Sequence, residues 1–218
     1  MLNLGKKTLM CIALAAAACS VQAQTPTATK VVSLQRAPLT EEGFPQTLML
    51  GDRNTRLNGV GTRYKAVFRV YRAALYAERP VHSLHDLSDP SQAKRIQLVM
   101  LREVNSSELS TLFVRGIQQN LDKAASTHWV SAMVNMAEMF SRYKRVEAGD
   151  QITLDWLPGK GTVISVRGES AGAPIPDAAF YQALASIWLG ATPADWTLRE
   201  AMLGKQTQTA SAATTQTQ

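Results

Sequence analysis

Residues 43–204 of this 218-residue chain predict an α+β domain: an antiparallel β-sheet covered on one face by helices. Three observations point there. Between residues 151 and 166 the apolar residues Ile152, Leu154 and Trp156 alternate with Thr153, Asp155 and Leu157, and Pro158-Gly159-Lys160-Gly161 then turns the chain. A period of two broken by turn residues is the pattern of a β-hairpin. Stripes at helical spacing lie between and after the strands, at Leu109, Leu112, Phe113, Ile117 and Leu121, at Trp129, Met133, Met136, Ala137 and Phe140, and at Phe180, Tyr181, Leu184, Ile187 and Trp188. Strands therefore cluster early and late with helices packed between, which suits a sheet with one covered face.

The chain opens with Lys6 and Lys7, an apolar run over residues 9–18, and Val21-Gln22-Ala23. Charge, apolar stretch and small residues in that order predict a cleavable export signal over residues 1–23, and hence a periplasmic protein. The apolar run covers about ten residues, whereas a membrane-spanning helix needs roughly 20, so no stable membrane insertion is expected after cleavage. A lipid-modified start at Cys19 is the weaker alternative, because Ala16 stands where a larger aliphatic residue is usual. Cys11 and Cys19 are the only cysteines, and both leave with the signal. Disulfides, thiolate nucleophiles and cysteine-ligated metals are thereby excluded from the mature chain. Residues 24–42 are polar and turn-rich, and residues 205–218 are a Gln/Thr/Ala tail with little to bury. Both are expected to be flexible.

Within the domain, residues 55–77 are rich in β-formers and read as two strands interrupted at Gly59 and Gly61. Residues 95–101 form a third strand. Asn105 has the chemistry of a helix N-cap, and Glu108 three positions on predicts a capping box. The Met-containing stripe at 129–140 reads as core packing. Gly190 ends the helix that carries Trp188, and Thr192-Pro193 predicts the start of a fourth helix in the order cap, then proline.

The chemistry on offer is sparse. His82, His85 and His128 are the only histidines, and His82-x-x-His85 has no third ligand near it in sequence, so no metal or other cofactor is expected. Gly159-Lys160-Gly161-Thr162 lacks the earlier glycine, the Ser or Thr directly after the lysine and the helix of a phosphate loop. The formal charge of +6 falls by two when Lys6 and Lys7 leave, and the remaining cations are scattered rather than clustered, so no nucleic-acid partner is expected. One feature is unusual. Gly59-Val60-Gly61-Thr62-Arg63 enters a strand among aromatic residues, where Arg63 beside Tyr64 or Tyr71 could clamp an anion in an apolar cleft. On the residues alone, a solvated arginine on a strand face is the simpler alternative.

The segment Leu57-Asn58-Gly59-Val60-Gly61-Thr62-Arg63 resembles the chalcone isomerase superfamily, and within it the exported bacterial chalcone isomerase-like proteins. So do Ala74-Leu75-Tyr76-Ala77-Glu78, Gly149-Asp150, and Leu184-Ala185-Ser186-Ile187-Trp188-Leu189-Gly190 followed by Pro193. The resemblance implies an open-faced β-sandwich, an antiparallel sheet backed by helices with a ligand cleft between. The family arginine matches Arg63, a strand threonine falls on Tyr71, a late-helix hydroxyl on Ser186, and a helix asparagine on Asn120 when the alignment is shifted by four. The helix tyrosine has no counterpart, since Leu109 or Phe113 stands there. Non-catalytic members of the superfamily bind fatty acids through an arginine and a tyrosine. The resemblance thus implies a small amphipathic anion such as a fatty acid as partner, held by Arg63, Tyr71, Asn120 and Ser186. The alternative is an isomerase, or intramolecular lyase, in which Arg63 faces a developing oxyanion.

The order of residues 1–23 has one direct consequence. Intact-mass measurement of the exported protein is expected to give an N-terminus at Gln24, open or cyclised. Retention of Met1, or a lipid on Cys19, would contradict the predicted processing.

Overall fold

The computed structural model describes residues 43–122 and 127–205; the expected signal, the segment 24–42 and the tail beyond Lys205 lie outside the described residues. Strands β1 (Thr47–Leu50), β2 (Arg53–Lys65), β3 (Phe68–Ala77), β4 (Lys94–Met100), β7 (Gln151–Leu157), β8 (Gly161–Val166) and β9 (Glu169–Ser170) form one sheet. They pair in that order, each neighbour antiparallel. Helices α1 (Ser106–Gln118) and α2 (Val130–Ser141) are joined at their outer ends by a short ladder. In it β5 (Val104–Asn105) pairs with β6 (Arg145–Val146). Helices α3 (Ala178–Leu189) and α4 (Trp196–Met202) follow, and a short 3-10 helix (Leu84–Leu87) lies between β3 and β4. None of the described helices is long and apolar enough to cross a membrane.

The period-two pattern decides which face is covered. Tyr71, Ala73, Leu75 and Ala77 of β3, Ile96, Leu98 and Met100 of β4, and Ile152, Leu154 and Trp156 of β7 all join the main core. Strand geometry puts alternate residues on one face, so these form a continuous apolar floor. Helix α3 lies in that core, and every residue from Phe180 to Leu189 except Gln182 is buried. A helix apolar on all sides belongs in an interior. Asp177 caps its start, accepting from Ala179 N at 2.8 Å and Phe180 N at 3.3 Å. On the opposite face the alternate positions carry polar chemistry, as where Arg95 and Asp155 meet across β4 and β7 in a two-point ion pair at 2.6 Å. Part of that outer face is covered too. Phe44 packs with Ala74 and Tyr76, and the Tyr76 phenol donates to Pro45 O at 2.9 Å.

The structure departs from three local expectations, each for a physical reason. Gly59 and Gly61 do not divide two strands; they lie inside β2, and the hairpin turns at Ala66-Val67. Asn105 caps α1, its Oδ1 accepting from Ser107 N at 2.9 Å, but Glu108 turns away to Lys65, 3.6 Å off, instead of completing a box. The fourth helix is capped by Asp195, which accepts from Leu198 N at 3.1 Å, not by Thr192. Thr192 is unavailable as a cap because Asn120 accepts from its N–H at 2.8 Å and donates to its carbonyl at 2.9 Å, fixing both peptide groups outside a helix.

The two glycines are explained by α4. A Cβ on Gly59 would collide with the Ala201 carbonyl and come within 2.8 Å of Met202 O, and one on Gly61 would come within 2.8 Å of the Ala201 methyl. The helix thus rests directly on strand backbone, which only residues without a Cβ permit. Asn58, the extra residue where the β2–β3 register shifts, fastens the contact. Its amide donates to Met202 O at 2.9 Å and Val81 O at 2.8 Å, and its Oδ1 accepts from Val81 N at 2.7 Å. Gly59→Ala should accordingly destabilise the domain by about 1–3 kcal/mol, the usual range for overpacking. Gly51→Ala, with φ 61° and nothing within 4 Å, should cost only the smaller backbone penalty of roughly 1 kcal/mol. Equal losses in a denaturant titration would refute the packing explanation.

Candidate functional site

Docking α4 on β2 orients the end of β2 that follows Gly61. There Arg63 and Tyr71 sit directly opposite one another in the β2–β3 register. Both line a cleft of about 160 Å³ between the sheet and α1, walled by Leu109, Leu112 and Phe113, with Val70, Val104 and Ile187 completing its apolar lining. Lys65, Arg102, Glu103 and Glu108 also line it. The carboxylates of Glu108 and Glu103 are engaged, Glu108 with Lys65 at 3.6 Å and Glu103 with Arg145 at 3.0 Å.

Tyr71 is buried, and its hydroxyl accepts from the Trp188 indole N–H at 2.9 Å. An indole can only donate, so the phenol proton remains free to be given away within the cleft. Burial pushes the Tyr71 phenol up to about 12, against the opposing pull of the Arg63 charge and the Trp188 hydrogen bond. It is therefore neutral, and a donor, at any physiological pH. Beyond it the cleft is filled: Phe113 stands edge-on to Trp188 at 5.4 Å and to Phe140 at 5.3 Å between ring centres. Arg63 is half-buried and spends one N–H on the Ala194 carbonyl, in the loop between α3 and α4. Arginine carries five N–H donors, so the guanidinium can hold this loop and still present donors to the cleft. Asp195, next in the chain, accepts from Tyr64 N at 3.3 Å and anchors the same loop to β2.

Of the four residues expected to contact a ligand, Arg63 and Tyr71 meet at the cleft. Asn120 and Ser186 do not line it. Asn120 donates to Gly116 O and Thr192 O, both at 2.9 Å, bracing the end of α1 against the loop after α3. The Ser186 hydroxyl is buried and donates to Ala183 O at 2.6 Å, one turn back in its own helix. Leu109 and Phe113, the two candidates for the position of the family's helix tyrosine, both line the cleft. A phenol is nonetheless present, brought by strand β3 instead of by the helix. The charged residues at the mouth, Lys65, Arg102, Glu103 and Glu108, were not expected at a site from sequence, where Glu108 was read only as a capping residue. They come from three separate segments, and no local pattern marks them. Among the described residues no group of histidines and carboxylates could hold a metal ion.

A sheet covered by helices on one face, with a guanidinium and a phenol side by side in a cleft between the two, is the architecture of the chalcone isomerase fold. The family model for chalcone isomerase-like proteins matches residues 39–204, and the chain belongs to that family. Among solved structures it is similar to the crystal structure of a fatty-acid binding protein from Arabidopsis thaliana. The TM-score is 0.63 and the identity 19%, over 77% of this chain and 96% of the plant protein. No curated protein sequence matches the chain significantly.

The buried phenol predicts a specific alkaline behaviour. Its folded value near 12 lies above the ordinary tyrosine value of about 10. The stability gained by keeping it neutral is complete below pH 10 and is lost as pH rises through 12. The phenolate absorbance of the native protein minus that of Tyr71→Phe should therefore be flat at pH 10 and rise only toward pH 12. A full tyrosine step in this difference at pH 10 would show that Tyr71 is not buried as described.

Proposed function

We propose that the protein binds a small amphipathic anion, a fatty-acid-like carboxylate, with its head group between Arg63 and Tyr71 and its chain against Leu109, Phe113 and Ile187. The observation that carries this reading is the pairing of a guanidinium with a neutral phenol donor, opposite one another in a cleft that also offers the apolar side chains of Leu109, Leu112, Phe113 and Ile187. A carboxylate has two oxygens, and the pair offers each a donor of a different kind. The similarity to a plant fatty-acid binding protein supports the same ligand class. The cleft of about 160 Å³ is smaller than the roughly 300–1,000 Å³ usual for sites that enclose a drug-sized ligand. A short or medium chain therefore fits best, because the Phe113–Trp188 stack occupies the space a longer one would need. The order of residues 1–23 supports a periplasmic location for this binding. Asn120 and Ser186, expected as further partners of the anion, are engaged with backbone carbonyls away from the cleft, so the head group rests on Arg63 and Tyr71 alone. The isomerase alternative is less well supported, because Leu109 and Phe113 offer no phenol at the position of the family's helix tyrosine.

Dodecanoate titration of the mature protein, with native mass spectrometry of material taken from its own compartment, tests the proposal. A hydrogen bond to a charged group is worth about 1.5–3 kcal/mol, so Arg63→Ala should weaken dodecanoate binding roughly 10- to 150-fold. Arg63→Lys keeps the charge without the planar fork and should recover only part. Tyr71→Phe removes a neutral donor to the same charged carboxylate and should cost less, about tenfold, the lower end of that range. Because Arg63 also holds Ala194, melting temperatures are read alongside. Unchanged affinity in Arg63→Ala, at a melting temperature that leaves the protein folded, would refute the assignment.

A further inference from the structure

The β2–β3 hairpin projects beside the cleft and ends in the wrong residues for a turn that serves only folding. Two-residue hairpin turns are best closed by Asn-Gly or by glycine, because they need a left-handed backbone. This one uses Ala66-Val67, and Ala66 takes a φ of 53°. Around it the surface is apolar: Val67 is 83% exposed, Phe68 61% and Tyr64 49%. Trp196, 59% exposed, follows Asp195, whose carboxylate accepts from Tyr64 N. Cations are interleaved with these side chains. Lys65 pairs with Phe68 across the turn and Arg69 with Tyr64, while the Arg102 guanidinium lies 5.8 Å over the Phe68 ring. Lys65 and Arg102 also line the cleft, so the tip and the cleft mouth form one surface. Of the carboxylates beside it, Glu103 is paired with Arg145, Asp195 is held by Tyr64 N, and Glu108 offsets Lys65, which leaves Arg69 and Arg102 as the cations of the tip outside an ion pair among the described residues.

We infer that this hairpin tip is a docking surface for an anionic lipid bilayer, on which the cleft mouth is set down against the membrane. Exposed aliphatic and aromatic side chains flanked by Lys and Arg are the composition that lodges at a charged membrane interface. There the apolar groups enter the head-group region, and the cations stay with the lipid phosphates. Tyr and Trp are suited to the same depth, with one end apolar and one polar. The contact is peripheral and reversible, with no spanning segment. A bilayer is favoured over a protein partner because Arg69 and Arg102 stand at the tip outside any described ion pair, while the apolar residues are exposed at the end of a hairpin rather than lining a groove. The docking surface stands on these observations alone; only its use, passing a fatty-acid-like ligand between bilayer and cleft, rests on the proposed function.

The test is co-sedimentation of the mature protein with two kinds of vesicle, one of phosphatidylcholine alone and one of phosphatidylcholine and phosphatidylglycerol in equal parts. Binding is expected to the anionic vesicles, to fall as salt is added, and to be weak on the neutral ones. Val67→Asp combined with Phe68→Ser, at two exposed positions, should weaken partitioning roughly tenfold or more. Met49→Asp is the control: Met49 is 59% exposed and pairs with Asn54 at the opposite end of β2, roughly 35 Å away along the strand. It should bind as the parent does. Dodecanoate affinity in solution, measured on the same variants, should not change. No binding to anionic vesicles, equal binding to neutral ones, or an equal loss in Met49→Asp would overturn the inference. So would a self-association in sedimentation velocity that the tip variant abolishes while vesicles are ignored, since that would assign the tip to a second copy of the chain. Vesicle binding without any dodecanoate affinity would leave the docking surface standing and remove the proposed ligand.

Discussion

The contact on which the rest of the structure depends is the seating of α4 on the bare backbone of β2. Gly59 and Gly61 remove the two methyl groups that would hold the helix off, and Asn58 fastens it with bonds to Met202 and Val81. Because α4 is short, it has little surface of its own to bury, and close approach compensates by raising the dispersion contact per residue. The loop before it is then drawn over the end of β2. There the Arg63 guanidinium and the Tyr64 amide take hold of Ala194 and Asp195. The motif that carries the family resemblance is thus first a docking strip for the C-terminal helix. Its arginine serves the cleft only because the strip holds it in place.

The cleft inherits its character from two neighbouring constraints. The antiparallel register sets Arg63 against Tyr71, so a charge and a phenol share one spot without any help from a loop. Packing then limits what lies beyond, because the Tyr71 hydroxyl is pinned by Trp188 and the space behind is taken by the edge-on rings of Phe113, Phe140 and Trp188. Close-packed interiors do not yield volume without displacing such groups. The result is a polar corner with a shallow apolar wall, open toward a basic, aromatic hairpin tip. For the proposed ligand, affinity for the head group and reach for the tail would therefore be set by different parts of the fold. The first lies in a β-ladder and the second in helix packing.

How much could be read in advance follows from how local each signal is. The hairpin at 151–166, the three helices under the apolar stripes, the Asn105 cap and the end of α3 at Gly190 depend on residues a few positions apart and formed where the pattern placed them, save that Leu121 and Trp129 fall just outside the helices and Leu112 is exposed. The failures were of another kind. Glycine at 59 and 61 looked like a break because the helix that needs those positions lies about 140 residues on. Thr192 looked like a cap because its captor, Asn120, lies 72 residues away in sequence. Asn120 and Ser186 carried the right functional groups, yet their bonds to backbone carbonyls depend on how helices cross and turn, which no spacing rule encodes.

By itself, then, the sequence determined the class of the fold, the covered face of the sheet, the arginine that merits attention and the family to which the chain belongs. Periodicity, capping chemistry and a contiguous motif are all written within single elements. Only the tertiary structure decided that the phenol of the cleft comes from a strand, that Lys65, Arg102, Glu103 and Glu108 crowd its mouth, and that the apolar turn at Ala66-Val67 stands beside it. These are meetings between segments far apart in the chain. Register and packing fix them, because each side chain's surroundings depend on every element that closes over it.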